Sequence, residues 1–138
     1  MNVGLFFSTL ITRAGIALMR VLAHFPLPML RTLGSGLGWV LYWVVVPRRR
    51  VVLTNLALCF PALSDAELDN LARQSFVYFA QTWLDRSWLW HGRPEVLAER
   101  LHLHGALYEF DGHAPTIVFS PHFYGLDAGA TAINMNID

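Results

Sequence analysis

The chain contains no lysine. Arginine alone carries its permanent positive charge, and ten arginines balance ten acids in a sequence that is only 14% charged. The acids are missing from the whole front half. Residues 1–64 hold six arginines (13, 20, 31, 48, 49 and 50) and no acid, so +6; residues 65–138 hold four arginines and ten acids, so −6. A front half that is basic and apolar points to anionic lipid as a contact. The arginines are sparse and set among bulky apolar residues, and no nucleic-acid-binding motif is present, which argues against a nucleic-acid partner. A single cysteine, Cys59, rules out an internal disulfide and is compatible with a reducing compartment. It sits in an apolar setting before Phe60-Pro61 and is expected to be an inert core thiol. No charge precedes the first apolar run, Val3–Ile11, and no small-x-small cleavage site follows it, so a removed signal peptide is not expected. Internal repeats and low-complexity segments are also absent.

What is present is apolar. Hydrophobic residues make up 54% of the 138, with five tryptophans. Val3 to Met19 is apolar or small except for Arg13. Arg13, Arg20 and His24 are 7 and 4 apart and share one helical face. Such a helix can lie in the membrane interface with its cationic stripe towards lipid phosphates. A short span with Arg13 snorkelling and a buried core helix are the alternatives. Pro26 and Pro28 end this segment. The second run, "TLGSGLGWVLYWVVV" from Thr32 to Val46, has three glycines for close backbone approach and boundary-type aromatics at Trp39, Tyr42 and Trp43. Three arginines follow Pro47, as at a cytoplasmic-side membrane contact, with a solvated helix start as the alternative. Residues 1–47 therefore read as membrane-associating helices and residues 48–138 as a separate domain.

In that second part, "VVLTNLALCFP" reads as a short helix ended by Pro61. "SDAE" at Ser64–Glu67 is a capping box opening a long helix from about Asp65 to Trp90. Its expected apolar face carries Leu68, Leu71, Ser75, Tyr78, Phe79, Thr82 and Trp83, and Trp83, Trp88 and Trp90 at its end are expected to pack in a core. "PEVLAER" is a short helix. "LHLHG" at Leu101–Gly105 alternates as a half-buried strand does, "ALYEF" is a helical turn, and "TIVFS" at Thr116–Ser120 is a compact buried strand before a final helix in "AGATAINMNI". The expected fold class is α/β, helices leading into the start of a sheet. Two strands do not make a covered sheet, so the chain is expected to be a fragment or truncated copy of a larger protein. His102, His104, His113 and His122 have no helix-borne ligand pair or cysteine cluster beside them, and no metal site is expected.

The chemistry concentrates in "SPHFYGLD". On one straight helix, His122 and Asp127 would point about 140° apart and could not pair. Pairing requires the chain to turn between them. Pro121 biases Ser120 towards an extended backbone, Gly125 permits a tight turn, and Asp127 falls in the first turn of the next helix, where an acid is favoured. The carboxylate could then hold the imidazole's tautomer while the other ring nitrogen takes a proton from a hydroxyl. Spacing alone leaves a structural histidine at a strand end open as the alternative.

The H-x4-D motif after an apolar strand resembles that of the glycerolipid and lipid A acyltransferases. The block "RRRVVLTNLALCFPALSDAEL", Arg48–Leu68, is similar to the basic-NL-FP-S-acid block of the lipid A biosynthesis lauroyl/myristoyl acyltransferase family. "LHLHGALYEF" resembles its strand-Gly segment, and the apolar N-terminus resembles its anchor. The resemblance implies an acyltransferase-type mixed sheet at the cytoplasmic face of the bacterial inner membrane. It implies transfer of a fatty acyl chain from acyl carrier protein, or from acyl-CoA, to a hydroxyl of a lipid A precursor, without a cofactor. His122 would be the general base and Asp127 its orienting, charge-stabilising partner. Asp127 stands where this family commonly has Glu. The downstream arginine-containing segments that bind phosphates are not in the chain, so the chain by itself is expected to be inactive. A non-catalytic membrane-binding module or remnant, and acylation of another glycerolipid or aminolipid, are the alternatives.

Overall fold

Proline sets where several of these helices begin, and glycine sets how closely two of them approach. The computed structural model describes residues 3–110, 112 and 115–136. Among these, six α-helices follow in chain order: α1 (Val3–Leu22), α2 (Leu27–Val44), α3 (Val46–Cys59), α4 (Asp65–His91), α5 (Pro94–Arg100) and α6 (Leu126–Asn136). A 3-10 helix at Leu107–Phe110 lies between α5 and α6. The chain divides into two compact units: residues up to Phe25 together with Asp85 onward, and Pro26–Leu84.

In the Pro26–Leu84 unit, Pro26 is the N-cap of α2 and Pro28 sits in its first turn, where a missing N–H costs nothing. The two prolines thus open α2 as well as following α1. Pro47 starts α3 in the same way, after a break at Val45 that bends the path by 94°. The buried residues of α2 are Leu30, Gly34, Gly38 and Tyr42, one stripe at four-residue spacing. It meets a four-residue row on α4, running antiparallel. A Cβ on Gly34 would lie 2.6 Å from Cγ of Gln81, and a Cβ on Gly38 would lie 2.7 Å from the backbone oxygen of Phe76. Tyr42 packs with Ala72 and Phe76, and Val52, Leu53 and Leu56 of α3 close over that cluster. The Gln81 amide donates to the Arg31 carbonyl at 3.1 Å and to Ser35 Oγ at 3.0 Å, tying α4 to α2 beside the glycines. Tyr42 donates its hydroxyl to Asp69, which also accepts from Arg73 Nε at 2.8 Å. Burial and the Asp69 bond raise the Tyr42 phenol above its ordinary pKa, while the Tyr42 hydroxyl, with Arg73, holds Asp69 below the ordinary carboxylate value.

The capping box at the start of α4 is formed. Glu67 accepts from the Ser64 N–H at 2.8 Å and from its hydroxyl at 2.7 Å, and these bonds hold Glu67 below its ordinary pKa. The buried row of α4 runs through Leu68, Ala72, Phe76, Ala80, Leu84 and Trp88. This corrects the expected face: Tyr78, Phe79, Trp83 and Trp90 are exposed, and of the three late tryptophans Trp88 alone is buried. The reason is steric. Gly34 and Gly38 bring the α4 backbone at Phe76, Val77 and Gln81 against α2, which leaves Tyr78, Phe79, Trp83 and Trp90 off that contact. Cys59, expected in a core, is exposed at the end of α3. The half-buried face of α3 is Val52, Leu53 and Leu56, and Cys59 lies at its last turn beyond them.

In the other unit, Met19, Leu22 and Ala23 at the end of α1, Trp88 and Leu89 of α4 and Ala132 of α6 are buried. Trp88 Nε1 donates to Asp85 Oδ1 at 3.0 Å, and the Arg100 guanidinium lies 5.1 Å from the Trp88 ring. The expected α/β fold is not found. The described residues are helical or irregular, with no strand and no sheet. Leu101–His104 and Thr116–Ser120 have strand-like sequence, but among the described residues neither forms a strand pairing, and a strand exists only through such pairing. Ile117 and Phe119 stand 96% and 90% exposed where a buried strand was expected. Gly105, at φ +126°, turns the backbone after the first segment through a region other residues avoid. No single helix among the described residues is long and apolar enough to cross a membrane; α2 and α3 pass together by length and composition only.

Two outcomes test this packing. Gly38→Ala is expected to destabilise the Pro26–Leu84 unit by about 1–3 kcal/mol in urea unfolding through overpacking. Gly36→Ala, where an added Cβ meets nothing within 4 Å, should instead stabilise it by about 0.5–1 kcal/mol. The depressed Glu67 contributes stability above its ordinary pKa and loses it as pH falls through the lowered value. Urea unfolding of Glu67→Gln against wild type should therefore show a gap at pH 7 that narrows as the pH falls below the ordinary glutamate pKa.

Candidate active site

His122 lies in the extended segment after Pro121, with its side chain exposed. Phe123 follows, then a turn at Tyr124 and Gly125, where Leu126 N–H bonds to the Phe123 carbonyl at 3.1 Å. The chain bends between His122 and Asp127, as pairing would require. Gly125 has no positive φ; its use is spatial, since a Cβ there would lie 3.3 Å from the Phe123 ring. α6 begins at Leu126 and places Asp127 in its first turn, where the helix N-terminus favours a negative charge. Thr131 Oγ1 donates to the Asp127 carbonyl at 2.8 Å, within the same helix.

The Asp127 carboxylate is held from elsewhere. Arg86 of α4 donates Nε to Asp127 Oδ2 at 2.6 Å, a short charge-assisted bond, and its guanidinium lies 5.7 Å from the Trp90 ring. No hydrogen bond joins His122 to Asp127. The structure brings Asp127 to Arg86 and leaves the imidazole facing outward at the other end of the turn. Sequence reading did not find Arg86. It lies 41 residues from its partner, and the only local signal is Trp90 at the stacking distance of one helical turn. His102 and His104 are exposed, alternating with half-buried Leu101 and Leu103. His113 lies outside the described residues. Among the described residues no three His, Cys, Asp or Glu side chains gather as a metal site.

The sequence model of bacterial lipid A biosynthesis acyltransferases matches residues 5–137, which include His122, Asp127 and Arg86. The chain belongs to this acyltransferase family. It is 26% identical over 125 residues to the lipid A biosynthesis acyltransferase of Haemophilus influenzae, covering 88% of this chain and 40% of that protein. It is 25% identical over 128 residues to the lipid A biosynthesis lauroyltransferase of Escherichia coli, covering 91% of this chain and 42% of that protein. The chain thus spans about two fifths of the length of the relatives it matches. No solved structure gives a significant match.

In this acyltransferase family member the Arg86–Asp127 pair is over a third exposed on both sides, so its net worth is that of a surface pair. Arg86→Leu should change global stability by less than about 1 kcal/mol. It should raise amide hydrogen exchange at the start of α6, residues 126–130, with exchange elsewhere unchanged.

Proposed function

We propose that this protein acts in lipid A biosynthesis as a lauroyl/myristoyl-type acyltransferase, moving a fatty acyl chain from acyl carrier protein or acyl-CoA to a hydroxyl of a lipid A precursor. The family match across residues 5–137 carries the reading. The exposed His122 supplies a group able to take the hydroxyl proton. The hydroxyl oxygen then attacks the thioester carbonyl directly. The tetrahedral adduct collapses, the thiolate leaves, and the imidazolium returns the proton to sulfur. No acyl-enzyme forms. Arg86 occupies Oδ2 of Asp127 and leaves Oδ1 to orient the imidazole and offset its charge during turnover.

The site of action in this reading is the cytoplasmic face of the bacterial inner membrane. The apolar surface of α1 supports it, with Leu10, Ile11, Ile16, Leu18 and Val21 exposed alongside Arg13 and Arg20. Membrane lipids would be the contact surface and acyl carrier protein the donor's carrier.

His122→Ala should lower acyl transfer to a lipid A precursor by at least about 100-fold, the usual contribution of a general base, while leaving the fold intact by circular dichroism. Activity retained in that variant would sink the assignment. Transfer to a glycerophospholipid in place of the lipid A precursor, read by mass spectrometry of the product, would move the protein to a different acceptor.

A further inference from the structure

Two arginines lie near one pair of aromatic rings in the Pro26–Leu84 unit, Tyr42 and Trp43, which are set edge-to-face at 88°. The Arg49 guanidinium lies 5.1 Å from the Tyr42 ring centroid and 5.5 Å from that of Trp43. The Arg73 guanidinium lies 5.3 Å and 5.6 Å from the same two rings. Three helices build this place: α2 brings the rings, α3 brings Arg49 and α4 brings Arg73. Guanidinium N–H donors suit the oxygens of a phosphate; Arg73 has Nε and Nη2 committed to Asp69 and keeps Nη1, whereas Arg49 has no carboxylate partner among the described residues.

The charges do not balance there. One carboxylate, Asp69, lies in the cluster, and it is already bonded by Tyr42 and by Arg73. Arg49 makes no ion pair among the described residues. Arg48 and Arg50 flank it, both exposed. Two neighbouring cations therefore meet one committed anion, with more positive charge on either side.

The surroundings say what kind of anion fits. Trp43, one ring of the pair, is 49% exposed, and Trp39 stands beside it at 6.4 Å in an edge-to-face pair, 59% exposed. Val40 and Val44 continue this apolar ridge outward. A bare inorganic ion would use the arginines and leave the ridge in water. A molecule with a phosphate joined to an apolar body would use both. Tryptophan is also the residue that settles at the boundary between headgroup and acyl chain.

We propose that Arg49 and Arg73, beside the Tyr42–Trp43 pair, bind the phosphate of an anionic lipid headgroup while Trp39 and Trp43 enter the adjoining apolar layer. This rests on the membrane part of the reading above and is independent of the acyl-transfer chemistry. It makes the α2–α3 bend a lipid-binding site, separate from the residues around Asp127.

Co-sedimentation tests it, with vesicles of phosphatidylglycerol and phosphatidylethanolamine compared against vesicles of phosphatidylcholine. Arg49→Gln leaves the Asp69–Arg73 pair in place and should lower partitioning onto phosphatidylglycerol vesicles about fivefold, with no change on phosphatidylcholine. No loss, or an equal loss on both vesicles, overturns the site. Should that variant fail to fold, tryptophan quenching in the wild type decides. Stronger quenching by brominated phosphatidylglycerol than by brominated phosphatidylcholine, at equal bound protein, supports the proposal; equal quenching overturns it. Inorganic phosphate, exchanged for chloride at constant ionic strength, should leave the bound fraction unchanged. Release of the wild type by it would make free phosphate the ligand and overturn the lipid assignment. Wild type that binds neither vesicle overturns the membrane reading itself, whereas binding indifferent to Arg49 overturns only this site.

Discussion

The close approach of α2 to α4 governs the Pro26–Leu84 unit. Gly34 and Gly38 leave no side chain between the helices, and the α4 backbone fills the space that a Cβ would need. Dispersion contacts fall off steeply with distance, so this proximity is what brings the larger groups along the same stripe into register. Leu30 lies at one end and Tyr42 at the other, both fully buried. Once Tyr42 is seated between Ala72 and Phe76, its hydroxyl reaches Asp69 and its ring becomes a platform for Arg49 and Arg73. Gln81 can satisfy the Arg31 carbonyl only because the same glycines let α4 come near. Packing, the polar network and the arginine site are thus successive consequences of two missing side chains.

In the other unit two aromatic–polar contacts recur along α4. Trp88 is buried with its indole N–H satisfied by Asp85, and Arg100 covers the ring. Arg86, one residue after Asp85 and therefore on a different side of the helix, reaches the first turn of α6. An exposed imidazole at His122 and a carboxylate at Asp127 anchored by Arg86 form a different arrangement from a closed His-Asp pair. The anchored acid has one carboxylate oxygen in use and one to spare. Residues 1–64 carry exposed aromatic and aliphatic residues next to arginine without a single acid.

Local signals in the sequence were the reliable ones. Ser64 and Glu67 form the capping box that their spacing announces, because both partners lie within one turn. The prolines at 26, 28, 47 and 94 mark helix starts, and Asp127 opens α6. Leu101–His104 keeps the alternation of half-buried leucine and exposed histidine even though no strand forms. Readings that required a distant partner fared worse. Strand propensity in Thr116–Ser120 cannot make a strand without a neighbour, and an apolar helix with more hydrophobic faces than cover leaves Phe79, Trp83 and Trp90 outside.

By itself the sequence determined the helices of residues 3–100, the turn between His122 and Asp127, the basic and apolar character of the front half, and the family. Each depends on residues close together in the chain or on an overall pattern. Tertiary structure alone decided which face of α4 is buried, that Asp127 is bound by Arg86, and that Arg49 and Arg73 lie on one pair of rings. Those outcomes join side chains separated by tens of residues. They depend on how closely backbones can approach, which no local pattern of residue types encodes.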